Sequence, residues 1–185
     1  MSTETIQQTI TGDYDLDVAH SRLGFAAKHA MVTTVRGHFT GFTGEAHLDI
    51  DDVTKSSARI EIEAASIDTG NADRDNHVRN SDFLEVEKYP KITFVSTGAE
   101  QKDEDNFVLH GDLTIKETTK PVSINFEKTG EGDDPWGNFR VGFEGKTTIN
   151  RSDYGVSFNM PFGKGSVVVS EKVTLEFDIA AVRRK

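Results

Sequence analysis

The chain contains no cysteine among its 185 residues. This absence excludes disulfide bonds, thiolate metal sites, iron–sulfur clusters and cysteine nucleophiles. Basic residues are also few, because 21 Lys and Arg stand against 31 Asp and Glu and give a formal net charge of −10. Nucleic acid is therefore a poor partner, since phosphate binding needs a basic face. The same net charge argues against simple attraction of the protein to anionic lipid.

Long apolar runs are absent as well. No stretch of the sequence approaches the ~20 consecutive apolar residues that are needed to cross a bilayer, so we expect no stable membrane insertion. The start of the chain lacks the basic and apolar regions of a secretory signal. We therefore expect a soluble, cytoplasmic protein, or a periplasmic or secreted one if the chain is a trimmed piece.

The length predicts one domain. We place a flexible N-terminus at residues 1–11, a single domain at residues 12–182 and a solvated basic tail at residues 183–185. Phenylalanine occurs 12 times, against three tyrosines and one tryptophan. Most of the aromatic area thus carries no polar group, which favours full burial in a core.

A period of two dominates what is present. Between residues 138 and 150 the odd positions are mostly apolar and the even positions mostly polar, which predicts a strand with one dry face. Similar alternation begins near residues 45, 58, 92, 107, 122 and 173, and shorter runs lie at 14–17 and 22–27. The exceptions are residues 71–90, which predict one or two short helical turns, and residues 130–135, which predict a loop. About eight antiparallel strands with one apolar face must close into a barrel or pack as two sheets.

Several motifs that carry chemistry in other proteins fail here. Gly145-Lys-Thr147 resembles the end of a phosphate-binding loop, but Arg140 stands where that loop needs glycine. Four histidines recur every nine residues, a spacing that gives them no common face of a helix or strand; they are His20, His29, His38 and His47. No Gly-x-Ser-x-Gly nucleophile elbow is present. We therefore predict no catalytic residue, no metal site and no cofactor.

Two short segments outside the predicted strands combine charges of both signs with several hydrogen-bond donors. We predict that their side chains form one polar rim at an end of the fold, made of Asp17, His20, Arg74, Asp75, His77 and Arg79. One interpretation is a loop network that holds that end together. The other is a set of contacts for the head group of a ligand.

The polar segments also carry a resemblance to a known family. Tyr14-x-Leu-Asp-x-x-His-Ser21 and Arg74-Asp-x-His-x-Arg79 resemble motifs of the YceI family, and the ordered match covers roughly residues 12–181. Its later pieces are Tyr89-Pro-x-Ile-Thr-Phe-x-Ser96, Gly111-x-Leu-Thr-Ile115, Thr118-Thr-Lys-Pro-Val122 and Ile149-x-Arg-x-Asp-Tyr-Gly155. The resemblance implies an elongated, lipocalin-like, eight-stranded antiparallel barrel. It further implies that a long polyisoprenoid lipid lies in the bore.

An eight-stranded barrel has an interior that side chains fill or that holds one slim ligand. Long strands would make this interior a tube lined by apolar residues. We predict that the lining consists of Phe94, Leu109, Leu113, Ile124, Phe126, Phe139, Val141, Phe143, Leu175 and Phe177.

The hypothesis that follows is a carrier, storage or sequestering protein for an isoprenoid lipid of the polyprenyl or quinone type. A ligand-free barrel with a stress or scaffold role and an enzyme acting on the bound lipid are the alternatives. The isoprenoid lipid is the expected partner, and the sequence is compatible with a homodimer.

Overall fold

Antiparallel strands make up most of the part of the chain that the structure describes. The computed structural model describes residues 10–162 and 166–185. In chain order its strands and helix are β1 (Gly12–Leu16), β2 (Arg22–His29), β3 (Thr33–Phe39), β4 (Phe42–Leu48), β5 (Ser57–Glu63), β6 (Ile67–Asp68), α1 (Ala72–Arg79), β7 (Lys91–Gln101), β8 (Asn106–Ile115), β9 (Thr118–Asp133), β10 (Phe139–Asn150), β11 (Pro161–Phe162), β12 (Ser166–Val167) and β13 (Val169–Arg183). The prediction of an all-β fold with a short helix between strands is confirmed.

Eight of these strands close into a barrel. Hydrogen-bonded neighbours follow the order β1-β4-β5-β7-β8-β9-β10-β13, and β1 pairs back onto β13 to complete the circle. Two strands are long for a globular protein, since β9 has 16 residues and β13 has 15. The predicted elongated, eight-stranded antiparallel barrel is therefore confirmed.

The first barrel strand is interrupted. Both β1 and β2 pair with the same edge of β13, at residues 181–183 and 169–178 respectively. Between them lies a 3-10 turn at Val18–His20. The backbone N–H of Asp17 donates to the Ala180 carbonyl at 2.8 Å, and the Ala180 N–H donates to the Ser21 hydroxyl at 2.9 Å. These bonds keep the β13 backbone paired across the break.

Beyond the break the sheet branches. Strands β2, β3 and β6 continue from β13 as a flap, and β6 ends it with one edge unpaired by any strand within the described residues. The α1 segment lies against this edge. Its apolar side chains and those of the following turn pack against the main core; they are Val78, Phe83 and Leu84. A helix thus covers an edge that would otherwise be exposed.

Three boundaries differ from the sequence predictions. Strand β9 continues through Asp133, where residues 130–135 were expected to form a loop, because its backbone ladder with β10 extends past the core. Residues 1–9 of the predicted flexible terminus lie outside the described residues, but Ile10 is buried. Strand β13 continues through Arg183, the first residue of the predicted tail, whereas Arg184 is exposed and its Nη2 atom lies 2.7 Å from Asp15 Oδ1 and 2.9 Å from Glu45 Oε2 at the surface.

Candidate ligand-binding site

The barrel interior holds two apolar cavities. The Tyr14-side cavity has a volume of about 100 Å³ and reaches from Tyr14 and Ala181 inward. The Arg151-side cavity has a volume of about 160 Å³ and reaches from Arg151 and Val173 inward. Because Ala181 and Val173 lie in different parts of the same strand, β13, the cavities follow one another along the bore. Four side chains border both cavities, and we call them the dividing ring: Ile60, Phe94, Ile124 and Phe177.

Eight of the ten predicted lining residues border these cavities. They are Phe94, Leu109, Leu113, Ile124, Phe126, Phe143, Leu175 and Phe177. The other two, Phe139 and Val141, are buried at the start of β10 but pack with Ile10 and Tyr14 in a separate cluster. They fill the end of the barrel and border neither cavity. Whether any of these side chains contacts a ligand stays a prediction.

Other lining residues were missed from the sequence. Ile60 and Phe107 border the Tyr14-side cavity, and both belong to alternating segments whose period already pointed them inward. Phe25 and Phe39 border the Arg151-side cavity from β2 and β3. Their segments alternate weakly, because β2 and β3 belong to the branched flap. The alternation of apolar and polar residues, applied to every strand, was thus the sequence signal that could have identified these lining residues.

The size of each cavity limits what it holds without rearrangement. An apolar cavity of ~150 Å³ is enough for a benzene-sized molecule, and the Arg151-side cavity is of that order at about 160 Å³. Aromatic rings fill much of the remaining interior. Phe126 stacks on Phe107 with ring centroids 5.6 Å apart. Its ring also packs at a tilt against Phe177, with centroids 5.8 Å apart. A longer apolar guest must therefore move side chains of the dividing ring.

Glycines on the inner face of the wall make room for two of these rings. A Cβ atom on Gly145 would lie 2.5 Å from Cδ1 of Phe126, and one on Gly111 would collide with the Phe94 ring. Both are closer than real Cβ contacts. The missing side chains therefore let Phe126 and Phe94 lie flat against the wall, which keeps the bore open.

A buried arginine stands at the end of the Arg151-side cavity. Arg151 is 5% exposed, and the loss of solvation lowers the pKa of its guanidinium. It donates hydrogen bonds to four backbone carbonyls, those of Val156 at 2.7 Å, Phe158 at 2.9 Å, Ser170 at 2.8 Å and Val169 at 3.3 Å. Arg151 thus fastens residues 156–158 to the start of β13 and closes that end of the bore. The sequence motif contained this residue, but no role was assigned to it.

Three of the four predicted rim residues of α1, Arg74, Asp75 and Arg79, form one network with the backbone of residues 65–69. Burial opposes the charge of Asp75, yet hydrogen bonds from the Thr69 hydroxyl (2.5 Å) and N–H (2.8 Å) lower the pKa of its carboxyl, helped by Arg79 and Arg74. Arg74 Nη2 donates to the Thr69 carbonyl at 2.7 Å, and Arg79 donates to the Ala65 carbonyl at 2.8 Å. These side chains satisfy the backbone that β6 leaves unpaired. The network holds the branch of the sheet together.

Asp17 and His20 lie in a different network. Arg140 donates to Asp17 Oδ2 at 2.5 Å and to Asp134 Oδ2 at 2.6 Å, while His20 Nδ1 lies 2.8 Å from Asp17 Oδ2. The hydrogen bond from Arg140 lowers the pKa of Asp17. Among the described residues, no hydrogen bond or ion pair joins this group to α1. The prediction of a single polar rim is therefore wrong.

His77 takes a third arrangement. Its Nε2 atom lies 2.9 Å from Asp82 Oδ2, and its ring meets the edges of Phe83 and Phe158 at centroid distances of 5.0 and 5.2 Å. The ring therefore joins the turn after α1 to the segment that Arg151 fastens.

Across residues 10–162 and 166–185 no cluster of three or more His, Asp or Glu side chains could hold a metal ion. No helix in that part of the chain is long and apolar enough to cross a membrane.

A closed antiparallel barrel with an apolar, divided bore and a helix over its branched end is a lipocalin-like barrel. The sequence profile of the YceI-like domain matches residues 14–181 of this chain. The chain belongs to the YceI-like family.

Relatives and solved structures agree with this assignment. A UPF0312 protein of Shewanella oneidensis is 35% identical over 93% of this chain and 88% of its own length. The crystal structure of BcnA from Burkholderia cenocepacia superposes with a TM-score of 0.79 at 25% identity, covering 90% of this chain and 99% of BcnA. A polyisoprenoid-binding domain from Saccharophagus degradans superposes with a TM-score of 0.68 at 15% identity, covering 92% of this chain and 98% of the domain. At that identity the last likeness concerns the fold alone.

Proposed function

We propose that the protein binds the chain of an isoprenoid lipid in the bore and acts as a carrier or store for it. The observation that carries this proposal is the pair of apolar cavities in line, which share the side chains of the dividing ring. An apolar tube with no polar group along most of its length excludes water from a lipid chain but cannot orient a polar substrate. A binding role is therefore favoured over a catalytic one.

The resemblance supports the same class of ligand. The Saccharophagus degradans structure with this fold is described as a polyisoprenoid-binding domain. A chain of isoprene units is flexible and slim enough for the interior of an eight-stranded barrel. We propose that a short chain occupies one cavity and that a longer chain spans both by moving the side chains of the dividing ring.

The test is binding of a prenyl-alcohol series to delipidated protein. Each buried CH₂ contributes about 0.8 kcal/mol before ordering costs are subtracted, so affinity should rise from two to eight isoprene units and then level off. Organic extraction of the purified protein with mass spectrometry should reveal a long isoprenoid. Equal affinity for the two-unit and eight-unit chains would refute the proposal. A protein that yields no lipid and binds none of the series would favour the ligand-free barrel.

A variant of the dividing ring sharpens the test. Ile124→Phe adds volume where the two cavities meet, and it should reduce binding of the eight-unit chain far more than that of the two-unit chain. Val95→Phe is the matched control, because Val95 follows Phe94 on β7 and is 45% exposed. The control should bind both chains as the wild type does.

A further inference from the structure

The turn between β2 and β3 exposes apolar side chains. Met31 is 60% exposed and Val32 is 77% exposed. Three residues connect β2 to β3, since His29 pairs with Thr33. Ala30 and Met31 have φ angles of 50° and 60°, a left-handed conformation that is usually taken by Gly, Asn and Asp. Solvent exposure disfavours the apolar side chains of Met31 and Val32, and the left-handed backbone disfavours Ala30 and Met31. An unfavourable local choice of this kind points to a function for the turn.

A third exposed apolar residue belongs to the same end of the barrel. The Ala30 N–H donates to the Val168 carbonyl at 2.8 Å, and the Val168 N–H donates to the Met160 carbonyl at 3.0 Å. Met160 is 52% exposed. We call Met31, Val32 and Met160 the apolar tip. Its side chains come from two separate parts of the chain that backbone hydrogen bonds hold side by side.

The charge around the apolar tip differs from that of the whole protein. Residues 18–44 contain no Asp or Glu, in a chain whose net charge is −10. Two exposed basic residues lie near the turn, Lys28 on β2 and Arg36 on β3, whereas Arg22 lies at the far end of β2, opposite Asp178. On the neighbouring strand β13 the acidic residue nearest to the tip in sequence register is Glu171, which accepts a hydrogen bond from the Ser152 hydroxyl. The hairpin therefore exposes apolar side chains at its turn and basic side chains on the two strands next to the turn.

The opposite end of the barrel provides the contrast. The turn between β9 and β10 exposes Trp136 by 77%, but acidic residues surround it in sequence, among them Glu131, Asp133 and Asp134. The register of β13 places the two turns apart, since Val169 lies opposite His29 and Val182 lies opposite Arg140. Exposed apolar residues thus occur at both ends. At the Trp136 end acidic residues lie in the same turn and basic residues follow at Arg140 and at the end of β13, whereas the β2–β3 hairpin has no acidic residue.

We propose that the apolar tip docks the protein on the surface of an anionic lipid bilayer. Met31, Val32 and Met160 would enter the interface between head groups and acyl chains, as the apolar face of an interfacial segment does. Lys28 and Arg36 would contact the anionic head groups. This local surface outweighs the repulsion expected from the net charge, because charges farther than about 8 Å from the membrane are largely screened at physiological salt.

Docking in this orientation turns one cavity towards the membrane. Phe25 and Phe39, which border the Arg151-side cavity, lie on β2 and β3, the strands that carry the tip. The end of the bore that Arg151 closes would therefore be the end next to the bilayer. The docking goes beyond the proposed lipid binding and does not depend on it, because it needs no ligand in the bore.

The test is co-sedimentation with vesicles of phosphatidylcholine containing phosphatidylglycerol, beside vesicles of phosphatidylcholine alone. Wild-type protein should bind the anionic vesicles, more weakly as salt rises, and the neutral ones much less. The variant Met31→Gly/Val32→Ser should bind at least about tenfold more weakly, since each buried apolar side chain contributes substantially to interfacial binding. Lys28→Gln and Arg36→Gln should each weaken binding about fivefold.

Controls separate docking from folding. Glycine at residue 31 adopts the left-handed conformation without cost, so Met31→Gly/Val32→Ser should melt no lower than the wild type. Trp136→Ser removes an equally exposed apolar side chain at the acidic end and should leave vesicle binding unchanged. Absence of wild-type binding, equal binding to neutral vesicles, or an equal loss in Trp136→Ser would overturn the proposal. So would self-association that depends on Met31 and Val32 without vesicle binding, because it would assign the tip to a second copy of the chain.

Discussion

The substitution Gly145→Ala tests whether the glycines of the inner wall keep the bore open. The added methyl group would lie 2.5 Å from Cδ1 and 2.6 Å from Cε1 of Phe126. Favourable carbon–carbon contacts lie at about 3.5–4.0 Å, so the Phe126 ring must move by roughly 1 Å. Phe107 and Phe177 flank the ring at centroid distances of 5.6 and 5.8 Å. Phe126 therefore cannot slide sideways without displacing another ring.

The expected effect has two parts. Overpacking of this kind costs about 1–3 kcal/mol of folding free energy, and for a chain of this size each kcal/mol lowers the Tm by about 2–4 °C. Movement of Phe126 away from the wall also narrows the Tyr14-side cavity, which Phe126 borders. Gly145→Ala should thus melt several degrees lower and retain less apolar ligand.

Denaturation by urea, thermal melting and binding of the prenyl series measure both parts. Gly130→Ala is the matched control, because no atom lies within 4 Å of the position of its added Cβ. The double variant Gly145→Ala/Phe126→Leu should recover much of the lost stability, since the smaller side chain relieves the collision. If Gly145→Ala matched Gly130→Ala in Tm and in ligand binding, the assigned role of the wall glycines would be incorrect.

Three further predictions concern single positions. Phe143→Asp places a carboxylate in the wall of the Tyr14-side cavity and should lower the free energy of unfolding by about 3 kcal/mol or more; a wild-type urea midpoint would contradict the inward orientation of Phe143. Hydrogen bonds lower the pKa of Asp134 from 3.8 to about 2, and the largest contribution comes from the Asn138 N–H. The Asp134 carboxylate therefore stabilises the fold above pH 3.8, and this stabilisation is lost as the pH falls through about 2. The Tm of Asp134→Asn should consequently fall less than that of the wild type over that range. Arg151→Met removes hydrogen bonds to four backbone carbonyls, although the Val169 carbonyl keeps the Asn159 side-chain amide as a donor. The substitution should destabilise by about 3 kcal/mol, with faster proteolysis at residues 155–160; an unchanged proteolysis rate would speak against the fastening role.

The fold was predictable where one strand has one wet and one dry face throughout. Residues 139–149 alternate over the whole length of β10, and the structure buries Val141 and Ile149 on the predicted face. The break between β1 and β2 was not predictable, because it depends on Ala180, which is 159 residues from Ser21 in sequence. The extension of β9 to Asp133 was missed for a similar reason. Its side chains there are exposed, and only the backbone pairing with β10 makes that segment a strand.

For the site, the sequence predicts which side chains face the interior of the barrel, but it does not predict their position along the bore. The period of two identifies the inward face, and therefore eight of ten predicted residues border a cavity. The sequence does not say how far along the bore each residue lies, so Phe139 was assigned to the lining although it fills the end. Arg151 was missed because its partners are backbone carbonyls, which leave no signature in the residue types around it. The polar residues were recognised, but their division into separate networks depends on which strands the closed barrel brings together.

Net charge is the property for which the sequence total and the folded surface differ most. A total of −10 argues against an anionic membrane only if the charges are mixed over the surface. The paired strands β2 and β3 both lie within a segment that contains no Asp or Glu, whereas Asp133 and Asp134 lie at the turn that joins β9 to β10. Because hairpins keep sequence neighbours together in space, a local bias in composition becomes a difference between the two ends of the barrel. Electrostatic repulsion from distant charges is screened beyond about 8 Å at physiological salt, so in the proposed docking the charge near the approaching end matters more than the total charge.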